Sequence, residues 1–193
     1  EKTRHIHKIL IDPSNPDTVY VGAIGSPWGE HEQRGVYKTT DGGKSWKQIL
    51  FQNNKTGVAD MVMDPTNPNK IIVAMWEHKR DPWFFTSGGE GSGIFITHNG
   101  GSTWEERTHK DGLPEGDLGR IGLAIAPNKS NIIYALVEAK KNALYKSTDA
   151  GFTWAKNNDK SDLGNRPFYS SDVFVVPQNE NRVYSVVTYV NVS

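Results

Sequence analysis

The chain has no cysteine among its 193 residues, which excludes disulfides and thiolate metal sites without identifying a compartment. It has no excess of charge of either sign: 22 Lys and Arg stand against 22 Asp and Glu, a formal net charge of +0. A nucleic-acid partner is therefore disfavoured, because phosphate binding needs a basic surface. No apolar run approaches the roughly 20 residues of a membrane span, so none is expected in this segment. No secretion leader is visible, and Glu1 does not read as a native start. No window carries a convincing amphipathic helical pattern. What the chain does have is 19 glycines, 10 prolines and many short apolar runs. That is the composition of strands joined by turns, in a length that allows one domain with a substantial core.

One short motif occurs three times: Thr39-Thr40-Asp41-Gly42-Gly43-Lys44-Ser45-Trp46, Thr97-His98-Asn99-Gly100-Gly101-Ser102-Thr103-Trp104 and Ser147-Thr148-Asp149-Ala150-Gly151-Phe152-Thr153-Trp154. The copies lie about 58 and then about 50 residues apart, the repeat period of a solenoid or propeller. Each follows a β-rich run, such as Gly35-Val36-Tyr37-Lys38, and reads as a hairpin turn. Asp41, Asn99 and Asp149 supply an acceptor oxygen for the turn amides. Gly43, Gly101 and Gly151 supply backbone freedom that a Cβ would block. Trp46, Trp104 and Trp154 begin the next strand and pack beneath the turn, each burying up to roughly 200 Å². Asn99 keeps the acceptor without the charge, which argues against a catalytic or metal-binding carboxylate in this motif and assigns all nine residues to the scaffold.

A second repeat alternates with the first. Ile11-Asp12-Pro13-Ser14-Asn15-Pro16, Met63-Asp64-Pro65-Thr66-Asn67-Pro68, Ile125-Ala126-Pro127-Asn128-Lys129-Ser130 and Val175-Val176-Pro177-Gln178-Asn179-Glu180 each join two apolar strands through a proline-started turn. Runs such as Ile71-Ile72-Val73-Ala74 are apolar on both faces and should be buried on both sides. The two signatures together predict an all-β fold of four-stranded antiparallel meanders, the blades of a β-propeller. Blade 1 spans about 4–51, blade 2 about 57–108, blade 3 about 119–157, and half of a fourth about 169–189. Closed propellers need at least about four blades. The chain is therefore expected to be part of a larger propeller, completed by the remaining blades of a longer parent chain or by another subunit.

The Ser/Thr-x-Asp-x-Gly-x-Thr/Ser-Trp pattern resembles the Asp-box, or BNR repeat, of the sialidase and sortilin-type propellers. Further stretches resemble a group of bacterial proteins with sortilin-like BNR repeats. They are Arg34 to Gly43, Ala59 to Pro65, Ser87 to Phe95, Gly112-Leu113-Pro114 with Leu118 to Gly122, and Arg166 to Ser170. The resemblance covers nearly the whole chain. It implies a longer, exported protein and a propeller whose Asp-box turns lie on one face and whose ligands meet the other. Repeat similarity of this kind transfers fold rather than activity. The match to sialidases fails outside the Asp-boxes, since no Arg-Ile-Pro sequence opens an arginine triad and no Tyr/Glu nucleophile pair can be assigned.

Long insertions fall on the expected ligand face. Gly25 to Arg34 contains Trp28, Glu30 and Arg34; His78 to Ser92 contains Arg80, Asp81, Trp83, Phe84, Phe85 and Glu90. Long loops on a rigid scaffold commonly carry function. Trp28, Trp83, Phe84 and Phe85 are candidates to stack on sugars or anchor a peptide, and the alternative is that they seal blade contacts. Arg34, Arg80, Arg120 and Arg166 are candidates to grip carboxylates, and the alternative is pairing with acids across blades. Glycoside hydrolysis needs two carboxylates roughly 5 to 9.5 Å apart, for which Asp81 with Glu90, or Glu30 with Asp81, are formal candidates that no spacing selects. Six histidines form no metal motif. His5 and His7 alternate on one strand, but no further ligands are evident. No metal and no cofactor are expected.

These readings predict a non-catalytic, extracytoplasmic binding or scaffold propeller that recognises a peptide, protein or glycan through Trp28, Arg34, Arg80, Trp83 and Phe84. The alternative is a glycoside hydrolase fragment whose active site is completed by blades outside this chain.

Overall fold

The computed structural model describes residues 3 and 5–192. Four antiparallel sheets follow one another along the chain. The first contains β1 (Ile6–Ile11), β2 (Val19–Ala23), β3 (Gly35–Thr39) and β4 (Lys47–Leu50). The second contains β5 (Thr56–Asp64), β6 (Asn67–Arg80), β8 (Gly93–Thr97) and β9 (Glu105–Arg107), with the short β7 (Phe85–Ser87) paired to the far end of β6. The third contains β10 (Ile121–Ile125), β11 (Ile133–Val137), β12 (Ala143–Ser147) and β13 (Ala155–Asn158), and the fourth β14 (Asp172–Val176), β15 (Asn179–Val186) and β16 (Val190–Val192). Each sheet is a sequential meander, and β1, β5, β10 and β14 approach one another as the inner strands. The expected all-β partial propeller is observed. The fourth sheet carries a third strand, β16, beyond the two expected from the sequence.

Strand alternation explains how one sheet serves two cores. Ile71, Val73 and Met75 of β6 face the first sheet and pack with Tyr20, Val36 and Leu50. Ile72, Ala74 and Trp76 of the same strand face the third sheet and pack with Ile121, Ile133, Ala135 and Trp154. Successive residues point to opposite faces, so a strand between two neighbours must be apolar at every position. β11 repeats the pattern: Ile133, Ala135 and Val137 point back, while Tyr134 and Leu136 point on to Val173 and Val183 of the fourth sheet. The outer faces of the first and fourth sheets have no neighbouring sheet among the described residues. Ile9, Ile11, Phe174 and Val192 are each more than half exposed there.

The Asp-box turns are closed by side chains. In the first, Thr39 Oγ1 accepts from Gly43 N at 3.0 Å and donates to Asp41 Oδ1 at 2.7 Å; Asp41 also accepts from Ser45 N at 2.9 Å and from the Ser45 hydroxyl. The third turn has the same bonds through Ser147, Asp149 and Thr153. In the second, Asn99 Oδ1 accepts from Thr103 N at 2.9 Å and its amide donates to Thr103 Oγ1 at 2.8 Å. The hydroxyl reverses its role, so an amide replaces the carboxylate without an unpaired atom. Gly43, Gly101 and Gly151 have φ of +89°, +88° and +93°, in the region that L residues avoid. Trp104 Nε1 donates to Ile49 O of the preceding sheet at 2.9 Å, and Trp154 is buried. Among the described residues no sheet precedes that of Trp46; it bonds its own turn at Gly43 O and remains 45 % exposed.

Two details differ from the sequence reading. His5 precedes β1 with φ of +55°, and the β1 register is irregular between Ile6 and Lys8. The His5/His7 alternation on one strand therefore does not occur. The long second insertion is not an irregular loop. β6 runs on to Arg80 and turns back as β7.

Candidate aromatic cleft

The β6–β7 hairpin builds one wall of a cleft lined largely by aromatic side chains. Asp81 N donates to Phe84 O at 2.9 Å, which closes a tight turn with Pro82 and Trp83 at its tip. Proline presets the backbone for this position of a turn, and the short reversal pushes Trp83 and Phe84 outward. They are 90 % and 61 % exposed. The opposite wall is the connection between the third and fourth sheets, where Tyr169 N and Ser170 N both donate to Arg166 O. Between the walls lies a cleft of about 460 Å³.

Aromatic contacts fix its floor. Phe168 stands edge-on to Trp76 with ring centroids 5.1 Å apart and meets Phe85 at 4.6 Å. The Arg80 guanidinium lies among the Phe85, Phe168 and Tyr169 rings and donates to Tyr169 OH at 2.6 Å. Arg166 stacks on Tyr169 at 5.2 Å. Glu138 closes the floor as the one carboxylate in the lining. Its Oε2 accepts from Ser87 Oγ at 2.6 Å and from Arg120 N at 2.7 Å. Ser87 Oγ in turn accepts from Trp76 Nε1 at 3.0 Å. A Cβ on Gly119 would lie 2.2 Å from Glu138 Oε2, so the carboxylate needs a glycine beside it.

Of the residues picked out in the sequence, Arg80, Trp83 and Phe84 meet in this cleft. Trp28 lies outside its lining, 66 % exposed on the first insertion. Arg34 is 1 % exposed. Its guanidinium donates to Lys55 O, Ser26 O and Gly29 O at 2.7, 2.6 and 2.9 Å and touches His78 Nδ1 at 3.2 Å. These bonds make Arg34 the clasp of the first insertion, outside the aromatic cleft. Burial depresses the Arg34 pKa. Burial, reinforced by the Arg34 cation, lowers that of His78 to about 4, so His78 is neutral and can accept from the guanidinium. Across-blade ion pairing does not account for the arginines: among the described residues, Arg34, Arg80, Arg120 and Arg166 make no ion pair with an acid within 4 Å.

The three candidate acids are dispersed. Asp81 pairs with Lys79 at 3.0 Å. Glu30 lines a separate hollow of about 200 Å³ beside Arg34 and His78. Glu90 lines a third of about 180 Å³ with Glu106, Arg107 and Asp117. Neither formal pair shares any of these three cavities. Sequence reasoning missed Glu138 and Tyr169. The one available signal for Glu138 was its place just after the apolar run of β11, at the long-loop end. Among the described residues no cluster of three His, Asp or Glu side chains is arranged to hold a metal.

No protein-family model matches the chain. It is 32 % identical over 158 residues to the xyloglucanase Xgh74A of Acetivibrio thermocellus, covering 77 % of this chain and 17 % of that protein. It is 24 % identical over 180 residues to a probable oligoxyloglucan-reducing end-specific xyloglucanase of Neosartorya fischeri, covering 84 % of this chain and 20 % of that one. The chain thus spans about a fifth of the length of these curated relatives. In fold it is similar to the GH74 xyloglucanase of Xanthomonas campestris, with a TM-score of 0.69 and 18 % identity over 97 % of this chain and 27 % of the other. At that identity the likeness speaks for the propeller fold alone. The named relatives are xyloglucanases, not sortilin-type receptors or sialidases. They overturn the reading of a non-catalytic binding or scaffold domain: the chain is related in sequence to glycoside hydrolases, the alternative reading.

Proposed function

We propose that the chain is a segment of a glycoside hydrolase acting on a xyloglucan-type polysaccharide, and that the aromatic cleft is one of its sugar-binding subsites. The observation that carries this reading is the pair of solvent-facing rings, Trp83 and Phe84, on the wall of a 460 Å³ cleft. Large rings held in water on a braced hairpin gain when they cover the apolar face of a pyranose, and Glu138 and Arg80 lie within the same lining to meet its hydroxyls. Hydrolysis needs two carboxylates across the scissile bond, and the cleft holds Glu138 alone. The reading therefore assigns catalysis to a site completed by further blades. Blades of that kind would also cover Ile9 and Ile11 on one side and Phe174 and Val192 on the other. A polysaccharide too large to enter a cell places such an enzyme outside the cytoplasm; no helix among the described residues is long and apolar enough to cross a membrane.

Calorimetric titration of the chain with xyloglucan oligosaccharides tests the reading. Trp83→Ala should weaken binding at least about tenfold, or about 1.4 kcal/mol, with a melting temperature within about 2 °C of the parent because the ring is exposed. Absence of binding by the parent chain would sink the reading. Equal loss of binding and folding would return Trp83 to a packing role.

A further inference from the structure

The cleft carries a local charge excess that a neutral glucan does not explain. Its lining holds two guanidinium groups, Arg80 and Arg166, against one carboxylate, Glu138. One oxygen of that carboxylate is already occupied by the Ser87 hydroxyl and the Arg120 amide. The excess is not a sample of a basic protein, since the chain as a whole has a formal charge of +0. Among the described residues neither arginine has an acidic partner within 4 Å. Both stand within 6 Å of the same ring, Tyr169, at 5.8 and 5.2 Å. Arg80 is oriented by its bond to Tyr169 OH and by the Phe85 and Phe168 rings around it. A guanidinium braced between aromatic rings is weakly hydrated and has fixed directions, and its planar fork matches a carboxylate. Water-facing rings suited to a sugar, Trp83 and Phe84, line the same space.

We propose that this cleft selects an acidic sugar, a uronic acid residue in a glycan chain, whose carboxylate is held by Arg80 and Arg166 while its ring lies against the aromatic wall. The proposal rests on the reading of the cleft as a sugar subsite and names the class of sugar it prefers.

The test titrates the chain with two acidic probes of different stereochemistry, tetragalacturonate and a xylooligosaccharide bearing glucuronic acid. Each is compared with its carboxyl-reduced neutral counterpart and with a xyloglucan nonasaccharide. At least one acidic probe should bind tenfold or more tightly than its reduced form, and that advantage should shrink several-fold between 50 and 500 mM salt. Arg80→Met and Arg166→Met keep apolar bulk beside Tyr169; each should remove most of the advantage, and Arg166→Met should do so while leaving the reduced probe's affinity within about twofold. If Arg80→Met lowers thermal stability, Arg166→Met and the salt series on the parent chain still decide the matter. Equal affinity for acidic and reduced probes, with binding of the neutral nonasaccharide retained, overturns this proposal and leaves the glycan reading standing. Failure of every probe to bind overturns both.

Discussion

Replacing Gly101 with alanine should cost the fold more than the same change at Gly43, although both residues end the same turn with φ close to +90°. The shared part of the cost is backbone strain, roughly 1 kcal/mol for an L residue held at positive φ. The remainder depends on what a new methyl would meet. At Gly43 the nearest atom is Cζ2 of Trp46 at 3.7 Å, an ordinary contact. At Gly151 it is Ile96 Cδ1 at 2.7 Å, and at Gly101 it is Ile49 Cδ1 at 2.3 Å. Both isoleucines belong to the preceding sheet, so these two glycines sit in the seam between blades while Gly43 does not. Overpacking a seam costs about 1 to 3 kcal/mol, toward the low end where the tip of an isoleucine can turn aside. The expected losses are therefore about 1 kcal/mol for Gly43→Ala, about 2 for Gly151→Ala and about 2 to 3 for Gly101→Ala. Urea unfolding followed by tryptophan fluorescence measures them, with an unchanged slope showing that the same surface is exposed in each case. Equal losses at all three positions, or a larger loss at Gly43, would refute the seating of each turn against the blade before it.

Arg34→Met should destabilise the chain by about 3 kcal/mol, because the carbonyls of Lys55, Ser26 and Gly29 lose their donor together; differential scanning calorimetry reads the loss, and sugar binding at the aromatic cleft should be unaffected. His78 has its pKa lowered by burial to about 4, so the unfolded chain takes up a proton near pH 6.5 that the folded chain refuses until about pH 4. Stability from this group is complete above pH 6.5 and lost as pH falls to about 4, by roughly 3 kcal/mol; comparing the pH dependence of unfolding with that of His78→Gln isolates it, and parallel curves would contradict a neutral buried imidazole. Asp41 has its pKa lowered to about 2 by the Ser45 hydroxyl and amide and by Thr39, so its stabilisation is present above about pH 4 and lost as pH falls through 2. Asp41→Asn should remove that acid limb at a smaller cost in stability than Asp41→Ala, since Asn99 closes its own turn through Thr103; equal costs would show that the charge matters.

The parts of this protein legible in its sequence are those set by local chemistry. The ends of β8 and β12 fall where the turn residues predict them, because Asp-box side chains close their own loops within four residues. The doubly apolar character of β6 and β11 announces two buried faces whatever the partners are. What needed the tertiary structure is every group whose partner lies far along the chain. Arg34 reads as an exposed loop cation until the carbonyl of Lys55 and the ring of His78 enclose it. Glu138 reads as the polar end of a strand until Ser87 and Arg120 converge on it. The wall that joins Arg80 to Tyr169 spans 89 positions. Turn geometry is decided by bonds between near neighbours, which a sequence displays; a cleft is decided by how whole sheets pack side by side, and no spacing along one sheet records which side chains the next will bring to it.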